Sequence, residues 1–192
     1  MTVSLNLKKN DILDLTKMAP GLNKITLGAG WDVVKKGLFS FGGDYDLDLV
    51  ALLIDRNEKL LNGGVIYFGN LQGEGIYLHG DNRTGAGDGD DEKISVELNR
   101  LPSACTKVVF AVTIYNGAAK KQSFAQVKNA YVRLMNEENG GQEICRYNLT
   151  EDGGKNTAII FAELENCNGS WQFKTRGELL EATVTSLSNM YK

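Results

Sequence analysis

Short apolar runs rich in β-branched and aromatic residues recur along almost all of this 192-residue chain, with turn-forming residues between them. This pattern limits the fold more than any other feature, because each run is too short for a helix and has the length of a strand. Val108–Tyr115 reads as a central strand. Ile94, Val96 and Leu98 alternate with Ser95, Glu97 and Asn99, as on a sheet with one wet face. Val3–Leu7, Lys24–Leu27, Leu47–Ile54, Val65–Phe68, Thr157–Leu164 and Trp171–Lys174 continue the series. Tyr131–Met135 and Ile144–Leu149 flank Asn139-Gly140-Gly141, which is hairpin chemistry. The chain has 22 glycines and 2 prolines, a balance that suits tight turns between strands.

Helix is the minority. Ser123 with Gln126 three residues on is a capping-box pattern and predicts a short helix over Phe124–Asn129. Leu180, Val184, Leu187 and Tyr191 follow helical spacing and predict an amphipathic C-terminal helix from about Glu178. The expected fold is therefore all-β, an antiparallel β-sandwich with one short helix and a C-terminal helix. No linker composition divides the chain, so a single domain over residues 1–192 is expected.

A net charge of −3 without a basic tract argues against nucleic acid as a partner. The N-terminus MTVSLNLKKN is not a signal peptide, and no apolar stretch nears the roughly 20 residues that span a bilayer, so the cytoplasm is the expected location. Cys105, Cys145 and Cys167 are odd in number and lack CxxC spacing, which favours buried free thiols over disulfides or zinc.

The segment from Gly80 to Glu92 carries the chemistry. Asp81, Asp88, Asp90, Asp91 and Glu92 stand among four glycines, with Arg83 the only cation. Folding such a loop tightly crowds its carboxylates, and two unit charges ~4 Å apart repel by about 4 kcal/mol at an effective dielectric near 20. A calcium ion, which takes six to eight oxygen ligands in flexible geometry, would turn that repulsion into attraction. An EF-hand is excluded, since its sixth position needs Gly and would fall on Lys93 or Ala86. Asp44, Asp46 and Asp48 enter the apolar run with strand alternation, which puts them on one face and Tyr45, Leu47 and Leu49 on the core side. Asp32, after Trp31 in what reads as a Gly-rich turn, is a third acidic candidate.

The segments LTKMAPGLNKITLGAGWD, DYDLDLVALL, VIYFGN, HGDNRTGAGDGDDE, VVFAVTIYNG, SFAQVKNAYVRL and WQF together resemble the TerD family of tellurite-resistance and general stress proteins. The resemblance implies a cytoplasmic bacterial β-sandwich that binds calcium, usually two ions, without known catalysis. It maps the metal ligands onto Asp32, Asp46, Asp48, Asp81, Asp88, Asp90, Asp91 and Glu92, and it implies protein partners within a stress-resistance complex. The GLFSFGGDYD insertion is similar to the TerZ-type subgroup. The C-terminus, from Glu165 onward, departs from the family pattern.

An enzyme is not expected. His79 is the sole histidine, no GxSxG motif is present, and the glycines of the acidic loop lack the GK[ST] of a phosphate-binding loop. Two rival readings of the acidic loop stay open: a calcium-dependent scaffold that docks a protein or membrane, and a metal-dependent hydrolase subunit. Membrane docking is the weaker of these, because Arg83 is the one basic group at the loop.

Overall fold

A computed structural model describes residues 4–33, 45–79, 89–149 and 152–192. Among them the strands are β1 (Leu5–Leu7), β2 (Ile12–Asp14), β3 (Lys24–Val33), β4 (Leu47–Ile54), β5 (Leu60–Ile66), β6 (Gln72–Gly73), β7 (Ile76–Leu78), β8 (Glu92–Glu97), β9 (Lys107–Ile114), β10 (Val127–Asn136), β11 (Gln142–Asn148), β12 (Ala158–Cys167) and β13 (Ser170–Leu180). They form two sheets, ordered β1-β11-β10-β3-β8-β7-β6 and β2-β13-β12-β9-β4-β5. The pairing is antiparallel except between β1 and β11. The architecture is the all-β sandwich that the strand pattern predicts.

Strand alternation sets what each face meets. Leu27, Ala29 and Trp31 of β3, Leu47, Leu49 and Ala51 of β4, and Val108, Phe110 and Val112 of β9 point between the sheets into the main core. Val50, Leu52, Ile54, Val109, Ala111, Ala158 and Ile160 face outward from the second sheet, yet they are buried too. The C-terminal segment covers them through Leu187, with Leu180, Val184 and Tyr191 packed alongside. The buried outer face explains why β4 and β9 are apolar at almost every position.

Three details differ from the sequence expectations. Gly28–Trp31 is not a turn but the middle of β3, because small residues there admit side chains from neighbouring strands. The C-terminal helix α3 is Val184–Asn189, and β13 runs on to Leu180; a capping box between Thr183 and Ser186 fixes its start. Phe124–Gln126 is a single 3-10 turn, after which β10 begins at Val127, because β pairing with β3 captures the rest of the expected helix. Two further one-turn helices, α1 (Leu15–Met18) and α2 (Gly117–Lys120), carry no amphipathic repeat and were not expected. Labelled in chain order, the helices are thus α1, α2 and α3.

Candidate functional site

The C-terminal end of β3 and the N-terminal ends of β4 and β8 meet at one end of the sandwich. Two buried carboxylates fasten them. Asp91 Oδ2 accepts the Trp31 backbone N–H at 2.8 Å, and the Asp91 N–H donates to the Ala29 carbonyl at 2.8 Å, so Asp91 prolongs the β3–β8 ladder. Glu92 reaches from one sheet to the other, where Oε2 accepts the Leu49 backbone N–H at 2.5 Å. That N–H lies before the first β5 pair at Ala51, so a side chain takes the place of a strand.

The sequence candidates fall into two groups at this end. Asp32, Asp90 and Asp91 belong to the first sheet. Asp32 shares the outward side of β3 with Gly28 and Gly30, and its Oδ2 accepts from Asn129 Nδ2 at 2.7 Å. Asn129 can reach it because β10 bulges between Lys128 and Tyr131, with Asn129 in the left-handed region at φ 50°. The second group is Asp46, Asp48 and Glu92 at the entry to β4. Asp48 is buried and shares the outward side of β4 with Val50 and Leu52, so Asp32 and Asp48 face away from opposite sheets. Asp44, Asp81 and Asp88 lie outside the described residues.

Asp90 has a distinct role. Its side chain is fully buried, and Arg133 grips both oxygens, Nε to Oδ1 at 2.7 Å and Nη2 to Oδ2 at 2.9 Å. Tyr131 adds a hydroxyl donor to Oδ1 at 3.2 Å, and the Lys93 ammonium stands 3.8 Å away. The site is built on glycine. A Cβ at Gly28 would come within 2.2 Å of the Asp90 carboxylate, and one at Gly30 within 2.5 Å of the Tyr131 ring. Gly30 sits directly across from Tyr131, the residue it admits, and Gly28 across from Arg133, whose partner Asp90 it admits.

The next strand brings a conflict that acids resolve. Arg133 on β10 is directly opposite Arg146 on β11, an unfavourable like-charge pair. Asp90 neutralises Arg133 from one side. Glu143 accepts from Arg133 Nη1 at 3.3 Å and from Arg146 Nη2 at 3.0 Å. Arg146 also lies over the Tyr131 ring, 4.2 Å from its centroid. Burial alone would raise the Glu143 carboxyl, but hydrogen bonds from Arg146, Ser4 and Arg133 hold it below its usual range.

Asp91 is shifted the other way. Burial pushes its carboxyl up, the Trp31 N–H offsets part of this, and the charges of Asp32 and Asp90 add to the rise. A buried acid crowded by two others is the electrostatic condition that a divalent cation relieves. Among the described residues no set of three or more ligands converges on one point, so strand residues alone do not complete a cage.

Sequence reasoning missed Arg133, Arg146, Tyr131 and Asn129. The alternation of Tyr131 with Arg133 and of Arg146 with Asn148 was readable, but the register that stacks them over Gly28 and Gly30 was not. His79, the sole histidine, is exposed, stands edge-on to Tyr77 and meets Ser95 Oγ at 2.7 Å.

The comparisons with known proteins agree with this architecture. The TerD domain matches residues 1–191. The chain is 39% identical over 192 residues to the tellurium resistance protein TerD of Serratia marcescens, covering 98% of this chain and 97% of that protein. It is 41% identical over 194 residues to general stress protein 16U of Bacillus subtilis, covering 100% of this chain and 97% of that one. In structure it resembles a TerD homologue from Streptomyces coelicolor A3(2), with a TM-score of 0.71 at 22% identity over 90% of this chain and 99% of that one. Matched nearly end to end by the domain and by its tellurium-resistance and stress-protein relatives, the chain belongs to the TerD domain family.

Proposed function

We propose that the protein is a calcium-binding stress-response module that works by metal-dependent ordering of its acidic loops and not by catalysis. One observation carries the reading: Asp91 is buried at the end of the β3–β8 ladder, and the charges of Asp32 and Asp90 add to what burial costs its carboxylate. Paired β3 and β8 hold the carboxylates there, so the loop cannot relax to separate them. Asp32 and Asp91 would hold one ion. Asp46 and Asp48, at the entry to β4, would contribute to the second, with Glu92 fastening β4 to β8 beside them. Asp81 and Asp88 would complete the coordination from the loop. Bound calcium supplies charge neutralisation and a flexible oxygen shell, whereas magnesium demands octahedral geometry that fixed strand residues do not readily offer. Asp90, held by Arg133, anchors the loop base in this reading instead of acting as a ligand.

The family setting supports a role in tellurium resistance or general stress; that the role is exerted through protein partners in the cytoplasm is part of the proposal. The test is thermal unfolding of the full chain in calcium, magnesium and chelator, paired with calorimetric calcium titration. Calcium at a hundred times its dissociation constant should add about 2.7 kcal/mol of stability. Asp91→Asn and Asp32→Asn should each weaken calcium binding by about tenfold or more, while Glu97→Gln at the far end of β8 leaves it unchanged. Equal melting temperatures in calcium and chelator would reject the reading.

A further inference from the structure

Four Asn-Gly steps stand in the chain, at Asn62-Gly63, Asn116-Gly117, Asn139-Gly140 and Asn168-Gly169. Such a step loses ammonia without an enzyme when its backbone is free to move, because glycine puts no side chain in the way of the reacting atoms. We infer that the fold restrains three of the four and leaves Asn62 as the site of spontaneous deamidation and isoaspartate formation in the native protein.

The reaction brings the glycine backbone nitrogen to the side-chain carbonyl carbon of the asparagine. At Asn62 the Gly63 nitrogen bonds to Cγ, the Cγ–Nδ2 bond breaks, and the amide nitrogen departs as ammonia with the Gly63 proton. The cyclic imide left behind takes up one water. Opening at one carbonyl gives aspartate; opening at the other gives isoaspartate, in which the chain runs through the former side chain. One water enters, one ammonia leaves, and no oxidant or cofactor takes part. The backbone must swing for this attack, so a step clamped by hydrogen bonds reacts only when it opens locally.

Three steps are clamped. At the tip of the β12–β13 hairpin Asn168 is left-handed at φ 54°, and the Gly169 N–H donates to Asn166 Oδ1 at 2.7 Å, which ties up the attacking nitrogen. The Asn139 amide donates to Gln142 Oε1, which holds the group under attack. Asn116 is left-handed at φ 54°, its carbonyl accepts the Lys120 N–H at 2.9 Å, and Gly117 is buried in α2.

Asn62 is placed differently. β5 pairs with β4 at Leu60 and again at Val65, so Leu61, Asn62, Gly63 and Gly64 bulge opposite Leu53 without register partners of their own. Asn62 and Gly63 are both exposed, and a Cβ at Gly63 would meet open space. Among the described residues the Asn62 amide has no hydrogen-bond partner. The brace of the bulge is Asn70, whose Nδ2 donates to the Val65 carbonyl at 2.8 Å and approaches the Gly63 carbonyl at 3.5 Å. It touches neither the Gly63 nitrogen nor the Asn62 side chain.

The product adds one negative charge to a chain of net charge −3, and isoaspartate adds a methylene to the backbone of β5. The bulge has no ladder pair to lose, so the fold survives the change. The altered link lies close to Leu60, whose N–H holds the Tyr191 carbonyl at 2.6 Å, beside the anchor of the C-terminal segment.

The experiment ages the full chain in mildly alkaline buffer, folded and in urea, and follows the four positions by peptide mass spectrometry with an isoaspartate-specific methylation assay. In the folded protein position 62 should deamidate at least about fivefold faster than the other three, and in urea the four rates should converge. Asn62→Gln should remove the main acidic form that accumulates on ion exchange and leave the melting temperature unchanged. Asn166→Ala, which frees the Gly169 nitrogen, should raise the rate at position 168 by about fivefold, and Asn70→Ala, which loosens the bulge, should raise it at position 62. A folded-state rate at position 62 no higher than at the other three overturns the inference. So does an order of the four rates that is the same folded and in urea, since the sequence alone would then set it.

Discussion

Gly28 and Asp90 show how one residue's lack of a side chain places another's charge. Asp90 is buried because Gly28 leaves the backbone bare beneath it, and it is tolerated because Arg133 meets both its oxygens. A buried pair of this kind contributes little net stability relative to an apolar pair, but breaking it leaves an uncompensated charge. Arg133→Met should therefore destabilise the protein by about 3–5 kcal/mol, and adding Asp90→Asn should recover a large part of that loss. The check is urea denaturation of the two single variants and the double. An additive double variant would mean that the pair is not coupled. At this scale the sequence identified Asp90 as acidic and crowded, but not its partner, since Arg133 lies 43 residues away and meets it only through sheet register.

Among the elements, α3 depends most on the rest of the fold. At Val184–Asn189 it is too short to be stable alone, and its capping box adds only about 1 kcal/mol. Packing holds it: Leu187 is fully buried against the outward side of β4, β9 and β12, and the Tyr191 carbonyl accepts the Leu60 N–H at 2.6 Å. Leu187→Ala should cost about 2–5 kcal/mol, seen as a lower denaturation midpoint together with binding of a hydrophobic dye to the uncovered face. A change below the error of the measurement would mean that α3 does not seal that face. The spacing of Leu180, Val184, Leu187 and Tyr191 did mark the residues that pack there, although Leu180 does so from the end of β13. The helix starts later than the spacing suggested because β13 pairs with β12 through Leu180, and ladder hydrogen bonds outweigh local helical periodicity.

For the whole molecule, the two-sheet core decides which side chains react. Burial raises the Cys105 thiol to about 11 and the Cys145 thiol to about 12, while Cys167 at the end of β12 is partly exposed. At pH 8 a thiol reagent should modify Cys167 quickly and the other two only after unfolding, because the thiolate is the reactive form. Fast reaction of all three in the folded protein would contradict the packing. Among the described residues no helix is long and apolar enough to cross a membrane.

The sequence by itself determined the strand-rich sandwich, the inward and outward sides of β4 and β8, and the acidic character of one end, because alternation and charge are local properties that survive any tertiary arrangement. Only the tertiary structure decided that Asp32 and Asp48 face away from opposite sheets, that Asp90 is tied to Arg133, and that Arg146 lies over the Tyr131 ring. Those facts depend on strand order and register, which a run of residues cannot state because each pairing joins segments far apart in the chain.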